Sequence, residues 1–206
     1  LEQMFGLLRG HAQTSDKLSI TVIGRDPEHF RQPRMNGVTN PMLAWFTPQW
    51  VGPLDRKGAD ELLSTLGKRV GLLVGKSTKD AAFEWTGGHP LLHRQFGSVL
   101  LDLARKSGRR EQPFETDSLC EAAVEPFLER DAVTDICREI YDLLDARYPD
   151  TAALLEKLAL VADAASAAPV LQEHGGFRSS AARVLRNFGI LAGSPEHPVL
   201  PGALRW

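Results

Sequence analysis

The stretch that most constrains this chain is Trp85-Thr86-Gly87-Gly88-His89-Pro90-Leu91-Leu92, a glycine turn opening into a long apolar helix. Gly87 and Gly88 reach backbone angles that other residues avoid. Pro90 has its φ pre-set for the first position of a helix. Leu91, Leu92, Gln95, Phe96, Val99, Leu100 and Leu103 then recur with a helical period, which predicts a helix to about Lys106. The free amides at such a helix start suit an anion or the edge of a nucleotide. They suit equally an ordinary turn between two packed helices.

The 206 residues suffice for one large domain or two to three small ones, and 43% apolar with 24% charged residues is ordinary globular composition. A formal net charge of −2 gives no whole-chain electrostatic case for nucleic acid or an anionic membrane. Cys120 and Cys137 both fall inside helical patterns and read as reduced core residues of a cytoplasmic protein. No apolar run approaches the roughly 18 residues that span a bilayer, so no membrane partner is expected. Leu1, Phe5 and Leu8 look like the tail of a helix already under way, ending near Gly10, and the chain is read as a piece of a longer polypeptide.

In chain order, Lys17 to Gly24 is β-branched and apolar and reads as a buried strand. Arg25 follows where that strand stops, a position suited to meeting a phosphate in an α/β sheet, or equally to solvent or a neighbouring Asp. Residues 26–53 are irregular, with one extended piece from Leu43 to Val51 anchored by Trp45, Phe46 and Trp50. Asp55 is expected to cap a helix from Arg56 to about Leu66 that buries Leu62, Leu63 and Leu66.

Val70 to Thr78 ends in Gly75-Lys76-Ser77, as a phosphate-binding P-loop does. That motif needs a glycine five positions before Gly75, where Val70 stands, and a strand leading in. Ser77 is therefore read as a plain helix N-cap, and the segment as a decoy. Residues 107–113 combine a stop signal, charges and a breaker, the best internal boundary. Thr116 is expected to cap a helix over Asp117–Phe127, and two amphipathic stripes follow, Val133 to Leu144 and Leu154 to Val161.

The last forty residues read as a short helix around Val170–Glu173, a Gly175-Gly176 turn and a helix starting at Ser179 or Ser180. Gly189-Ile190-Leu191-Ala192 then leads through Gly193-Ser194-Pro195 to Pro198-Val199-Leu200, a short hairpin. That is the outline of a winged helix, with Arg178, Arg183 and Arg186 on or beside its second helix. Those arginines are either a DNA-reading face or a solvated one. His89 and His93 sit four apart on one helix without a third ligand in reach, so no metal site is expected.

Taken together, the order of these pieces resembles the back half of a STAND-class P-loop ATPase, one of the AAA+-related signalling ATPases. The resemblance is carried by the strand ending in Gly24-Arg25, Asn40-Pro41 before a short strand, and Pro53-Leu54 before the Leu62-Leu63 helix. It continues through Thr86-Gly87-Gly88-His89-Pro90, which looks like the family's Gly-x-Pro element, to a winged helix around Leu185, Gly189, Ile190 and Leu191. It implies a mainly α fold with a small β content. The parts would be the end of an α/β P-loop NTPase core (1–54), a helical lid (55–112), a helical connector (113–165) and a C-terminal winged helix (166–206).

The family's nucleotide lies between core and lid, so the resemblance implies that Gly88, His89 and Pro90 flank the base and that Arg25 senses phosphate. ATP or ADP with Mg²⁺ is the implied cofactor, with the Mg²⁺ ligands and both Walker segments lying upstream in the family. Many relatives carry a winged-helix His on the β-phosphate, but no His stands near Leu200-Pro201-Gly202. The implied role is a switch or assembly driven by nucleotide, without hydrolysis by this segment alone. Its implied partners are nucleotide, other regions of its own chain and further copies in a homo-oligomer. The alternative is a winged-helix DNA-binding regulator using Arg178, Arg183 and Arg186 and no nucleotide.

Overall fold

A computed structural model describes residues 2–15, 17, 21, 23, 33–35, 37–40, 49–107, 114–161, 164–195 and 198–205. The fold is mainly helical with short strand pairs, and divides into two compact units, Leu1–Trp50 and Val51–Trp206.

In the first unit, α1 spans Glu2–Thr14, running through the expected stop at Gly10. A two-residue hairpin pairs β1 (Arg34–Met35) with β2 (Val38–Thr39), Arg34 opposite Thr39, around Gly37 at φ 82°. The buried strand expected over 17–24 is not formed where its residues are described. Lys17 lies in a turn, and Thr21 and Ile23 are exposed outside any strand, Ile23 at 94%. Its remaining residues lie outside the described residues, as do Arg25, Trp45 and Phe46.

The second unit opens with α2 (Arg56–Arg69). Asp55 caps it as expected, its carboxylate accepting from Gly58 N at 2.7 Å. The buried stripe differs from expectation. Ala59, Leu63 and Gly67 face inward, while Leu62 is half-buried and Leu66 is 37% exposed. Small residues let α2 approach its neighbours closely: a Cβ on Gly67 would stand 2.8 Å from Val74 Cγ2.

Next come β3 (Leu72–Leu73), α3 (Lys76–Thr86) and α4 (Pro90–Lys106). Gly87 at φ 57° ends α3, its N–H donating to Phe83 O at 2.7 Å, and Pro90 opens α4 as expected. β4 (Phe114–Glu115) returns to pair in parallel with β3, Leu72 opposite Phe114. A 3₁₀ turn at Asp117–Leu119 leads into α5 (Cys120–Leu128). Leu63, Leu92, Phe96, Leu100, Phe127 and Val133 form one buried core, in which the Phe96 and Phe127 rings meet edge to face at 5.3 Å.

α6 (Asp131–Arg147) runs from this core into a second one, with Val133 in the first and Leu144 in the second. α7 (Pro149–Ala159), α8 (Ala164–Glu173) and α9 (Ser180–Asn187) follow, with Ser179 capping α9. The expected hairpin is present as β5 (Ala192–Gly193) antiparallel to β6 (Pro198–Val199). Leu154, Leu158, Leu171, Leu185, Ile190 and Leu200 build the second core, which therefore draws on both sides of the boundary expected at 165/166.

Candidate functional site: the glycine turn and what holds it

The turn between α3 and α4 is fixed from behind by two distant parts of the chain. Gly88, at φ 77°, is buried, and its carbonyl accepts from Leu54 N at 3.0 Å. A methyl group on Gly88 would overlap the Leu54 carbonyl oxygen. A Cβ on Gly87 would stand 2.6 Å from Pro201 Cγ, and one on Gly202 would stand 2.6 Å from Trp85 Cε3. Pro53 in turn packs where a Cβ on Gly189 would be, at 2.7 Å. Glycine is thus required at these positions by close approach of the protein's own backbone, proline rings and the Trp85 indole.

Beneath the turn lies a closed polar knot. His93 is fully buried, with Nε2 3.0 Å from Ala59 O and Nδ1 2.8 Å from Thr86 Oγ1. Only a donor satisfies a carbonyl, so Nε2 carries the proton toward Ala59, while the single Thr86 hydroxyl proton faces both the Ala82 carbonyl at 2.6 Å and His93 Nδ1. Burial pushes the His93 imidazole below its ordinary 6.5, outweighing the Ala59 carbonyl and Asp60, which act upward. With both nitrogens engaged inward, His93 has none to give a metal. Among the described residues no cluster of metal-ligating side chains occurs.

The outer edge of the turn is different. His89 is half-buried, its Nδ1 3.5 Å from Leu92 N, and burial lowers its pKa as well. Pro90 is exposed and Leu91 is 55% exposed. Of the residues expected to flank a base, Gly88 therefore shapes the turn from inside, while His89 and Pro90 are presented with Leu91 as an apolar ledge. Arg25, the expected phosphate sensor, lies outside the described residues.

The Gly75-Lys76-Ser77 decoy has a structural explanation. α3 begins at Lys76 with Gly75 as its N-cap residue, so Ser77 is not the cap. The cap is Asp117, whose carboxylate accepts from Thr78 N at 3.0 Å and Thr78 Oγ1 at 2.9 Å, and also from Ser77 N. These bonds hold the Asp117 carboxyl below its ordinary range. A Cβ on Gly75 would collide with that carboxylate. The place where a P-loop holds phosphate is filled by the chain's own anion. Thr116, expected as a cap, is instead buried and bonds Thr78 Oγ1 at 2.9 Å and Leu73 O at 3.2 Å.

At the C-terminal end, Arg178 and Arg183 are exposed, but Arg186 is half-buried with its guanidinium 4.8 Å above the Phe177 ring. Arg186 is therefore a packing residue, and two of the three expected DNA-facing arginines are free to face outward. Sequence reasoning missed Leu54, Pro201 and Asp117 as partners of these turns. Their contacts join residues tens of positions apart, and no local pattern announces them. Among the described residues no helix is long and apolar enough to cross a membrane. No protein-family model, curated protein or solved structure matches the chain.

Proposed function

We propose that residues 55–206 are the helical lid (55–112), connector (113–165) and winged helix (166–206) of a STAND-like ATPase, coupling ATP or ADP binding to a conformational switch or assembly. The observation that carries this reading is the glycine turn, rigid behind and exposed in front. Leu54 and Pro201 fill its rear, so His89, Pro90 and Leu91 form a fixed ledge for a base. The same turn touches the segment entering α2 and the segment leaving β6. A ligand on the ledge is thereby linked to both ends of the unit.

Phosphoryl transfer needs a phosphate cradle, a Lys and a Mg²⁺ site. The one P-loop-like stretch is closed by Asp117, so this reading has the chain bind and respond to nucleotide rather than hydrolyse it alone. Phosphates and Mg²⁺ would be held by other regions of the longer polypeptide, with Arg25 as the sensor on this one. The test uses the longest natural form, purified without added nucleotide and denatured, with released small molecules identified by mass spectrometry. Stoichiometric ADP or ATP supports the reading. An empty protein that also fails to bind added Mg-ATP overturns it.

The succession of α7, α8, α9 and the β5–β6 hairpin, with Arg178 and Arg183 exposed, favours a second reading as a DNA-binding regulator. It requires salt-dependent duplex binding that weakens when Arg178 and Arg183 are replaced. Absence of a gel shift at low salt disposes of it.

A further inference from the structure

We propose that the cleft between α2 and α4 is a binding site for a small amphipathic carboxylate, a straight acyl chain of about eight carbons with its carboxylate at the mouth. The cleft has a volume of about 230 Å³, and two glycines, Gly67 and Gly97, line it. Gly67 lets Val74 close in, and a Cβ on Gly97 would stand 3.0 Å from Leu63 Cδ1. Its floor is Leu63, Leu72 and Leu100, all buried, and its rim is Leu66 and Val70, 37% and 44% exposed.

The interior offers no hydrogen bond. His93 lines it, but both ring nitrogens are taken by Ala59 and Thr86, and the Ser98 hydroxyl donates to Arg94 O at 3.1 Å. A lining of this kind favours hydrocarbon over water, because its apolar walls gain from being covered. Charge is present only at the edge. Arg69, at the end of α2, and Arg94, on α4, line the cleft, are exposed, and make no ion pair among the described residues. Arginine's planar fork matches a carboxylate. Apolar inside with cations only at the mouth selects an apolar tail ending in an anion.

Octanoate and 1-octanol, both kept below the concentration at which they aggregate, are titrated into the full chain carrying ¹³C-labelled methyl groups. Octanoate is expected to shift the methyls of Leu63, Leu66 and Val70 saturably. R69Q/R94Q, two changes at exposed positions, should weaken octanoate about three- to tenfold and leave 1-octanol unchanged. Shifts that do not saturate, or that fall outside the cleft, overturn the proposal. Octanoate affinity unchanged in R69Q/R94Q overturns it too, because the head group would then go unread.

Discussion

Leu54 and Gly88 meet backbone to backbone: the Leu54 amide donates to the Gly88 carbonyl at 3.0 Å, and the Leu54 carbonyl lies where a Gly88 side chain would begin. This contact ties the segment entering α2 to the turn that starts α4. Gly88→Ala must adopt φ 77° with a Cβ and displace a backbone atom. A residue held in that region costs on the order of 1–3 kcal/mol before any clash. We expect thermal denaturation to show Gly88→Ala destabilised by at least about 2 kcal/mol. Gly10→Ala, with open space around it, should stay within about 0.5 kcal/mol of the parent or gain slightly. Equal melting temperatures for the two variants would contradict the packing described.

The His93 knot makes stability depend on pH. The buried ring has its pKa lowered in the folded chain, so the unfolded chain binds the proton more readily. Stability from this group is complete above its ordinary 6.5 and is lost as pH falls from there through the folded value. His89 titrates in the same direction, so the two add. Urea titrations between pH 8 and pH 5 should show falling stability. His93→Gln, which can still donate to the Ala59 carbonyl, should flatten that slope. His93→Phe should cost about 1–3 kcal/mol at pH 8 by leaving the Ala59 carbonyl without its ring donor, while Thr86 keeps its bond to Ala82. A slope unchanged in His93→Gln would place the titrating group elsewhere.

Asp117 caps a helix 39 residues before it through Thr78. Asp117→Ala removes the acceptor for the Ser77 and Thr78 amides and should cost about 1 kcal/mol. Because the carboxyl is held below its ordinary 3.8, its contribution is present above that pH and fades as acid protonates it. Asp117→Ala should therefore destabilise at pH 7 and cost less at pH 3. Opening the α3 start should not create a phosphate site, since Glu115 remains beside it. Phosphate-dependent stabilisation of Asp117→Ala, measured by thermal shift, would show the opposite.

The local signals were legible because each is an interaction between neighbours. Asp55 reaches Gly58, Ser179 reaches Ala182, Gly87 closes α3, and Pro90 opens α4. What the sequence hid depends on distant partners. Thr116 carries the composition of a cap, but β3 and β4 pair across more than forty residues and turn it inward onto Leu73 and Thr78. Leu66 has the size of a core residue, yet α2 buries Gly67 beside it, because close approach rewards the absence of a side chain. The place of the candidate site was readable from Gly87-Gly88-His89-Pro90. Its division into a filled rear and an open front was not, since Leu54 and Pro201 arrive from opposite ends of the unit.

Cys137 offers a check on the junction of the two cores. Burial raises its thiol pKa to about 11, and Sγ lies 3.7 Å from Ala203 O. The thiolate is the reactive form, so Cys137 should alkylate slowly at pH 7.5. In a Cys120→Ser background, iodoacetamide labelling should be at least about tenfold slower in the folded chain than in urea, and should accelerate toward pH 10. Equal rates folded and unfolded would mean that the C-terminal segment does not cover α6.

The ledge reading separates residues that hold the turn from residues that face outward. Pro90→Ala keeps a good helix former at the first turn, and His89→Ala removes only a long cap at 3.5 Å. Each should cost at most about 1 kcal/mol in stability. If a base stacks on this edge, both should still weaken nucleotide binding to the longest natural form, by roughly three- to thirtyfold for one lost stacking contact. Leu91→Ser, at the exposed end of the ledge, should do the same without unfolding the chain. Gly88→Ala would lose binding together with stability. Affinity unchanged in all three edge variants would leave the glycine turn as a packing element alone, its glycines fully explained by Leu54 and Pro201.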